Sequence, residues 1–205
     1  MLSVIGFIII VVLILGAIAL LLAAIYNRLV KAKNAFQAAF AQIDVQLKRR
    51  YDLIPNLVES ARAYLAHESQ TLEAVINARN LASQARLSAS GDPSQAGALN
   101  RLAQAEGSLA GALSKLMVVV ESYPELKADK TVNDLMKEIT NTEDQIGSAR
   151  TIYNHRVMEY NQSREVFPAV MFSSLFGFQS AALWTLTEPA QAEPIRFSLT
   201  PPARP

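Results

Sequence analysis

The chain has no cysteine among its 205 residues. Disulfides, thiolate-bound metals, a cysteine nucleophile and a lipidated cysteine are excluded together. Only two histidines are present. Helical di-iron centres combine carboxylates with Glu-x-x-His on two helices, but three residues before His67 and His155 stand Tyr64 and Ile152, so that pattern is missing. His67 and Glu68 are neighbours in sequence, and a helix turns adjacent side chains about 100° apart, away from a common substrate atom. His67 is therefore read as a solvated or capping residue. The eight glycines form neither a phosphate loop nor a nucleophile elbow. Charge is scarce as well: charged residues make up 18% of the chain and the net charge is +1, too little to gather nucleic acid. No cofactor is expected.

What the chain has is apolar surface. Hydrophobic residues make up 51% of it, and the run from Val4 to Ile25 contains no charged or strongly polar side chain. As a helix rising about 1.5 Å per residue, that run crosses a hydrocarbon core about 30 Å thick. A cleaved signal peptide would begin with basic residues and have a shorter apolar core, whereas Met1-Leu2-Ser3 has no basic side chain. Residues 1–25 are thus expected to be a transmembrane anchor. Arg28, Lys31 and Lys33 follow it closely, which places the N-terminus outside and the body in the cytoplasm. The rival reading is a periplasmic or secreted helical body.

Behind the anchor the apolar residues keep a four-three rhythm. Leu29, Phe36, Phe40, Ile43 and Leu47 form one stripe continuous with the span. Pro55 lacks an amide hydrogen and its ring opposes the carbonyl of Tyr51, which predicts a break across "RRYDLIPNLVE", Arg49 to Glu59, with Asp52 as the next N-cap. Arg49 and Arg50 then lie near the negative end of the first helix dipole. A second helix is expected through Ile54, Val58, Ala61, Leu65, Glu68, Leu72, Val75 and Arg79, ending near Gly91-Asp92-Pro93. A third carries Leu99, Leu102, Glu106, Leu109, Leu113, Leu116 and Val120 and stops at Ser122-Tyr123-Pro124. A fourth, capped by Thr131 or Asn133, carries Leu135, Ile139, Thr142, Ile146, Ala149, Tyr153, Arg156 and Tyr160.

The fold class is therefore all-α: a transmembrane helix leading into an elongated, antiparallel four-helix bundle of up-down-up-down topology, residues 26–165. In that arrangement the Arg49–Glu59 motif is a turn far from the membrane, and its tip is where an unidentified protein partner is expected. Residues 166–187, with Phe172, Phe176, Phe178 and Trp184, form an apolar tail near the membrane. Its readings are a flap on the bundle end, an interfacial lipid contact or a subunit contact. The Pro-rich residues 188–205 are expected to be disordered.

Four charges on the helix seams, Glu68, Arg79, Glu106 and Arg156, need partners if they are buried. A Glu–Arg network fixing helix register is the first reading. The alternative is a carboxylate cation site or an enzyme using Glu68 and Glu106.

Several blocks resemble one family. "QIDVQLKRRYDLIPNLVE" (Gln42 to Glu59), "YLAHE" (Tyr64 to Glu68), "ESYPELKA" (Glu121 to Ala128) and "TEDQIGSARTIYNHRVMEYN" (Thr142 to Asn161) are similar to the LemA family of bacterial membrane-anchored helical proteins, as are Phe167-Pro168 and Phe176-Gly177-Phe178. The resemblance implies one N-terminal span, an elongated helical bundle and no established enzymatic activity. A relative is associated with magnetosome membranes, which implies work in membrane organisation. The expectation is a non-enzymatic scaffold or adaptor on the lipid bilayer, assembling as a homo-oligomer through its span, Phe-rich tail and bundle edges. The structural and interaction residues expected to matter are Arg49, Arg50, Tyr51, Asp52, Pro55, Glu68, Arg79, Glu106, Arg156, Phe172, Phe176 and Phe178.

Overall fold

The computed structural model of the chain describes residues 2–185, and the expected disordered tail at 188–205 lies outside them. Five α-helices follow one another: α1 (Leu2–Arg62), α2 (Ser69–Gly91), α3 (Ala96–Glu121), the short α4 (Pro124–Ala128) and α5 (Lys130–Glu165). A single 3-10 turn (Ala169–Met171) and an extended segment complete the described chain, which contains no strand among the described residues.

The first helix spans 61 residues, about 90 Å at the helical rise. Its first third packs against nothing, and Leu20 is 75% exposed. This segment is long and apolar enough to cross a membrane. Packing begins at Ile25 and Leu29, both buried. From there the stripe Phe36, Phe40, Ile43, Leu47 is buried as expected from its period.

The expected break at Pro55 does not occur. Helix α1 runs through it to Arg62, so Asp52 is an exposed mid-helix residue rather than an N-cap. Arg49 and Arg50 likewise stand well before the helix end. A proline in a helix interior costs about 3 kcal/mol or more, against about 1.5–3 kcal/mol gained by burying each large apolar side chain. Around Pro55 the helix buries Tyr51, Ile54, Leu57 and Val58, so burial outweighs the proline. The freed carbonyl of Tyr51 is taken by Arg79 from α2, whose Nε donates to it at 3.0 Å.

The chain turns instead at Ala63–Glu68. Tyr64 and Leu65 amides return to the carbonyl of Ala61 at 3.0 Å, closing α1, and α2 starts at Ser69. The expected stops at Gly91 and at Ser122-Tyr123-Pro124 are observed, with Pro124 in the first turn of α4. The cap of α5 is neither Thr131 nor Asn133 but Asp129, whose side chain accepts from the amide of Val132 at 3.0 Å.

Side-chain contacts fix the directions. Asp44 meets Arg86 while Tyr51 meets Arg79, so α2 runs back along α1. Phe36 packs on Tyr160 and Phe40 on Tyr153, while Arg49 pairs with Glu138, so α5 also opposes α1. All seven predicted seam residues of α3 are buried.

The segment after α5 first forms a compact turn and then climbs back along α5 as a strap. Two asparagines hold it. Asn161 Oδ1 accepts from the amide of Ala181 at 3.0 Å and its Nδ2 donates to the Ala181 carbonyl at 2.9 Å. Asn154 makes the same pair of bonds to Trp184 at 2.8 and 3.0 Å. Seven residues of helix rise about 10.5 Å, and three extended residues cover about 10 Å. The two carboxamides therefore meet alternate ends of one extended step, each imitating the edge of a β-strand. Trp184, beside Phe40, is buried by this arrangement.

Candidate functional site

An ionic cluster lies midway along the helices at the level of Arg50, with Arg50 and Glu106 buried and Glu143 exposed. The Arg50 guanidinium, 1% exposed, pairs with Glu106 of α3 through Nη2 and with Glu143 of α5 through Nη1. Tyr51 donates its hydroxyl to the other oxygen of Glu106. Three helices are thus tied through one arginine, whose planar fork suits two carboxylates at once. Burial lowers the Arg50 guanidinium to about 10, well above neutral pH, so it stays charged. Burial also pushes the Tyr51 phenol up to about 12, which keeps it a donor.

A second ionic contact lies nearer the apolar segment. Arg86 of α2 donates from Nη1 to both oxygens of Asp44 at 2.8 Å, and Ser90 donates to the same carboxylate. With Arg79 on the Tyr51 carbonyl, three polar side chains of α2 reach α1 at two levels, Tyr51 and Asp44.

The motif singled out in the sequence therefore sits on the shaft, not at its tip. Arg50, Tyr51 and Ile54 face the core, Asp52 and Pro55 face solvent, and Arg49 pairs with Glu138 at the surface. Of the four predicted seam charges, Glu106 is buried and Arg79 half-buried. Arg156 is not on the seam: its side chain is 47% exposed and pairs with Glu159 at 2.8 Å. Glu68 lies in the turn before α2, within 3.4 Å of the Tyr123 hydroxyl. It shares no partner with Glu106, whose two oxygens are engaged by Arg50 and Tyr51. The geometry therefore builds an internal ion network rather than a Glu68–Glu106 cation site. Among the described residues no cluster of three metal-ligating side chains occurs.

Sequence reasoning missed Glu143, Asp44 and Arg86, and it missed the strap-holding Asn154 and Asn161. An arginine in an exposed turn needs no carboxylate opposite it, whereas one buried on the shaft does.

The end farthest from the apolar segment is built from Ala63–Glu68 and residues 122–129. Tyr64 donates to Asp129 at 3.0 Å. This bond raises the Tyr64 phenol, while Asp129 is held below the usual carboxylate range first by the Val132 amide and then by Tyr64. Beside it opens a cleft of about 370 Å³ between the end of α1 and the start of α2. Val58, Leu65, Leu72 and Ile76 line it, with Arg62 and Glu73 among the polar residues. At the opposite end Phe176 and Phe178 pack edge-on against Tyr26, both at 5.6 Å between ring centroids, and Phe172 stacks on Phe176.

Comparison with known proteins adds family evidence to this geometry. The model of the LemA family matches residues 39–197. The chain is 27% identical over 172 residues to the magnetosome protein MamQ of Magnetospirillum gryphiswaldense, an alignment covering 75% of this chain and 62% of that protein. It is also 27% identical over 188 residues to magnetosome proteins MamQ 1 and MamQ 2 of Paramagnetospirillum magneticum, covering 83% of this chain and 68% of each. The chain thus spans less than two thirds of the first of these relatives.

Proposed function

The chain belongs to the LemA family, and from that premise we propose that it is a membrane-anchored, non-enzymatic scaffold or adaptor working in membrane organisation. The observation that carries this reading is the continuity of α1. One helix supplies both the apolar segment and the shaft, so the far end stands about 55 Å from the point where the helix leaves the apolar run. The ionic cluster serves this rod by fixing the register of its helices, and its buried acid, Glu106, is engaged by an arginine and a tyrosine rather than open to substrate. The MamQ relatives carry magnetosome in their names, which supports a membrane-organising role here.

In this reading residues 26–165 act as an up-down-up-down four-helix bundle. The N-terminus lies outside and the body in the cytoplasm of a bacterial inner membrane, and copies associate as a homo-oligomer. The partner surface is the far end, where the cleft offers apolar walls and one charge of each sign, Arg62 and Glu73. A photo-crosslinking residue at Glu73 in living cells captures a defined protein partner, and one at exposed Arg101 does not. Equal capture from both positions, or none from Glu73, overturns the assignment of the partner surface. Oligomer formation is checked separately by the mass of the detergent-extracted chain at native concentration, and a monomer there removes self-association.

A further inference from the structure

The end of the molecule nearest the apolar segment carries side chains that its helices do not use. Just past α5, Phe167 is 79% exposed, Leu175 78%, Met171 63% and Val170 48%. They are presented by a folded turn. The amides of Val170, Met171, Phe172, Ser173 and Phe176 all find carbonyls within the segment, and Ala169 and Ser173 are buried on its inner side. A cluster of large apolar groups on an ordered turn marks a contact surface.

Its position identifies the occupant. Tyr26, the first residue after the uncharged run, packs against Phe176 and Phe178. A span starting near Ser3 uses up a hydrocarbon core of about 30 Å in about 20 residues, so the bilayer boundary falls just before Tyr26. The opposed register of α5 on α1, with Phe40 at Tyr153 and Phe36 at Tyr160, carries the residues after Glu165 to that same level. Arg28, Lys31 and Lys33 follow Tyr26 on α1 and Arg164 ends α5, with Glu165 beside Arg164 and Asp92 near Lys33, so bases outnumber acids at this level. Apolar groups at the boundary beside basic ones at the level of lipid phosphates are the pattern of an interfacial anchor.

We propose that residues 167–175 form an interfacial foot, which inserts Phe167, Val170, Met171 and Leu175 into the headgroup–acyl boundary of the leaflet through which α1 leaves. A single span leaves the body free to turn about its own helix. A lateral second contact removes that freedom and sets which face of the rod looks along the membrane. The inference rests on α1 lying in the bilayer, and the experiment separates the two claims.

The full chain is placed in lipid nanodiscs whose acyl chains are brominated either near the carbonyl or near the terminal methyl. In a Trp184→Phe background, Phe167→Trp gives an indole quenched strongly by the shallow bromines and weakly by the deep ones. In the same background Leu13→Trp is quenched by the deep bromines, which establishes the span. Native Trp184, packed on Phe40, is quenched by neither. If the indole at position 167 escapes both lipids while that at position 13 is quenched, the foot is wrong and the anchor stands. Failure at position 13 removes the anchor and the foot with it. Crosslinking between copies through position 167 without lipid quenching assigns the patch to a second copy and overturns the proposal.

Discussion

Arg79 Nε stands 3.0 Å from the carbonyl oxygen of Tyr51, the acceptor that Pro55 leaves without its helical donor. The proline and the arginine are therefore one device, on two helices. Arg79→Met should destabilise the full chain in detergent by about 1–3 kcal/mol, the cost of stranding a half-buried carbonyl. In a Pro55→Ala background the new amide satisfies Tyr51, and the same substitution should cost clearly less. Denaturant unfolding followed by circular dichroism measures both. Equal losses would show that the two residues act independently.

The ionic cluster predicts an asymmetry. Arg50→Met strands the buried Glu106 and should cost about 3–5 kcal/mol, whereas Arg50→Met with Glu106→Leu should recover most of that loss. Arg50→Lys should fall between, because an ammonium lacks the planar fork that reaches two carboxylates. A double substitution as unstable as the single one would count against register fixing by this pair.

Trp184 is the only tryptophan in the chain, so the strap reports on itself. Asn154→Ala with Asn161→Ala removes four hydrogen bonds, each worth about 0.5–1.5 kcal/mol. The strap should lift and Trp184 emission should shift to the red. Asn161→Asp keeps the acceptor for the Ala181 amide and loses only the donor, so its shift should be smaller. Unchanged emission in the double variant would mean that the bonds from Tyr153, Tyr160 and Arg164 to strap carbonyls, with the apolar contacts, suffice to hold it.

Acid should loosen two helix starts first. Asp92 is held below the usual carboxylate range mainly by the Ser94 hydroxyl, and Asp129 mainly by the Val132 amide. Groups with lowered folded values contribute stability above their unfolded value, near 4, and lose it as pH falls through the folded value. Hydrogen exchange at Val132 and Ser94 should therefore accelerate below about pH 4. Asp129→Asn should remove the pH dependence at Val132 and leave that at Ser94.

Orientation has a direct test, because the chain lacks cysteine. In intact cells an impermeant thiol reagent should label Ser3→Cys and spare Ser122→Cys, which lies at the far end. The reverse pattern would place the body outside the cell.

The helical class and the apolar segment were legible because they rest on composition and period. So was the α3 seam, where Leu99 through Val120 repeats without interruption. The error at Pro55 is instructive, since the rhythm Leu47, Tyr51, Ile54, Val58, Ala61 passes through it unbroken. The burial that this pattern brings outweighs the local preference of one residue. The compensating donor lies 28 residues away in sequence, where no local rule could see it. Arg50 was hidden for the same reason: its carboxylates come from α3 and α5, and only the packed register shows that they converge. Arg156 met the helical period but sits at the edge of the stripe, where a 3.6-residue repeat drifts off a seven-residue one.

The absence of a joint between the apolar segment and the shaft makes α1 a lever. With an arm of about 55 Å, a change of 10° in its inclination sweeps the Tyr64–Asp129 end sideways by about 10 Å. Inclination of a span responds to the thickness of the lipid around it. Continuity through Pro55, held by the burial around it with Arg79 on the Tyr51 carbonyl, carries that motion to the end of the helix.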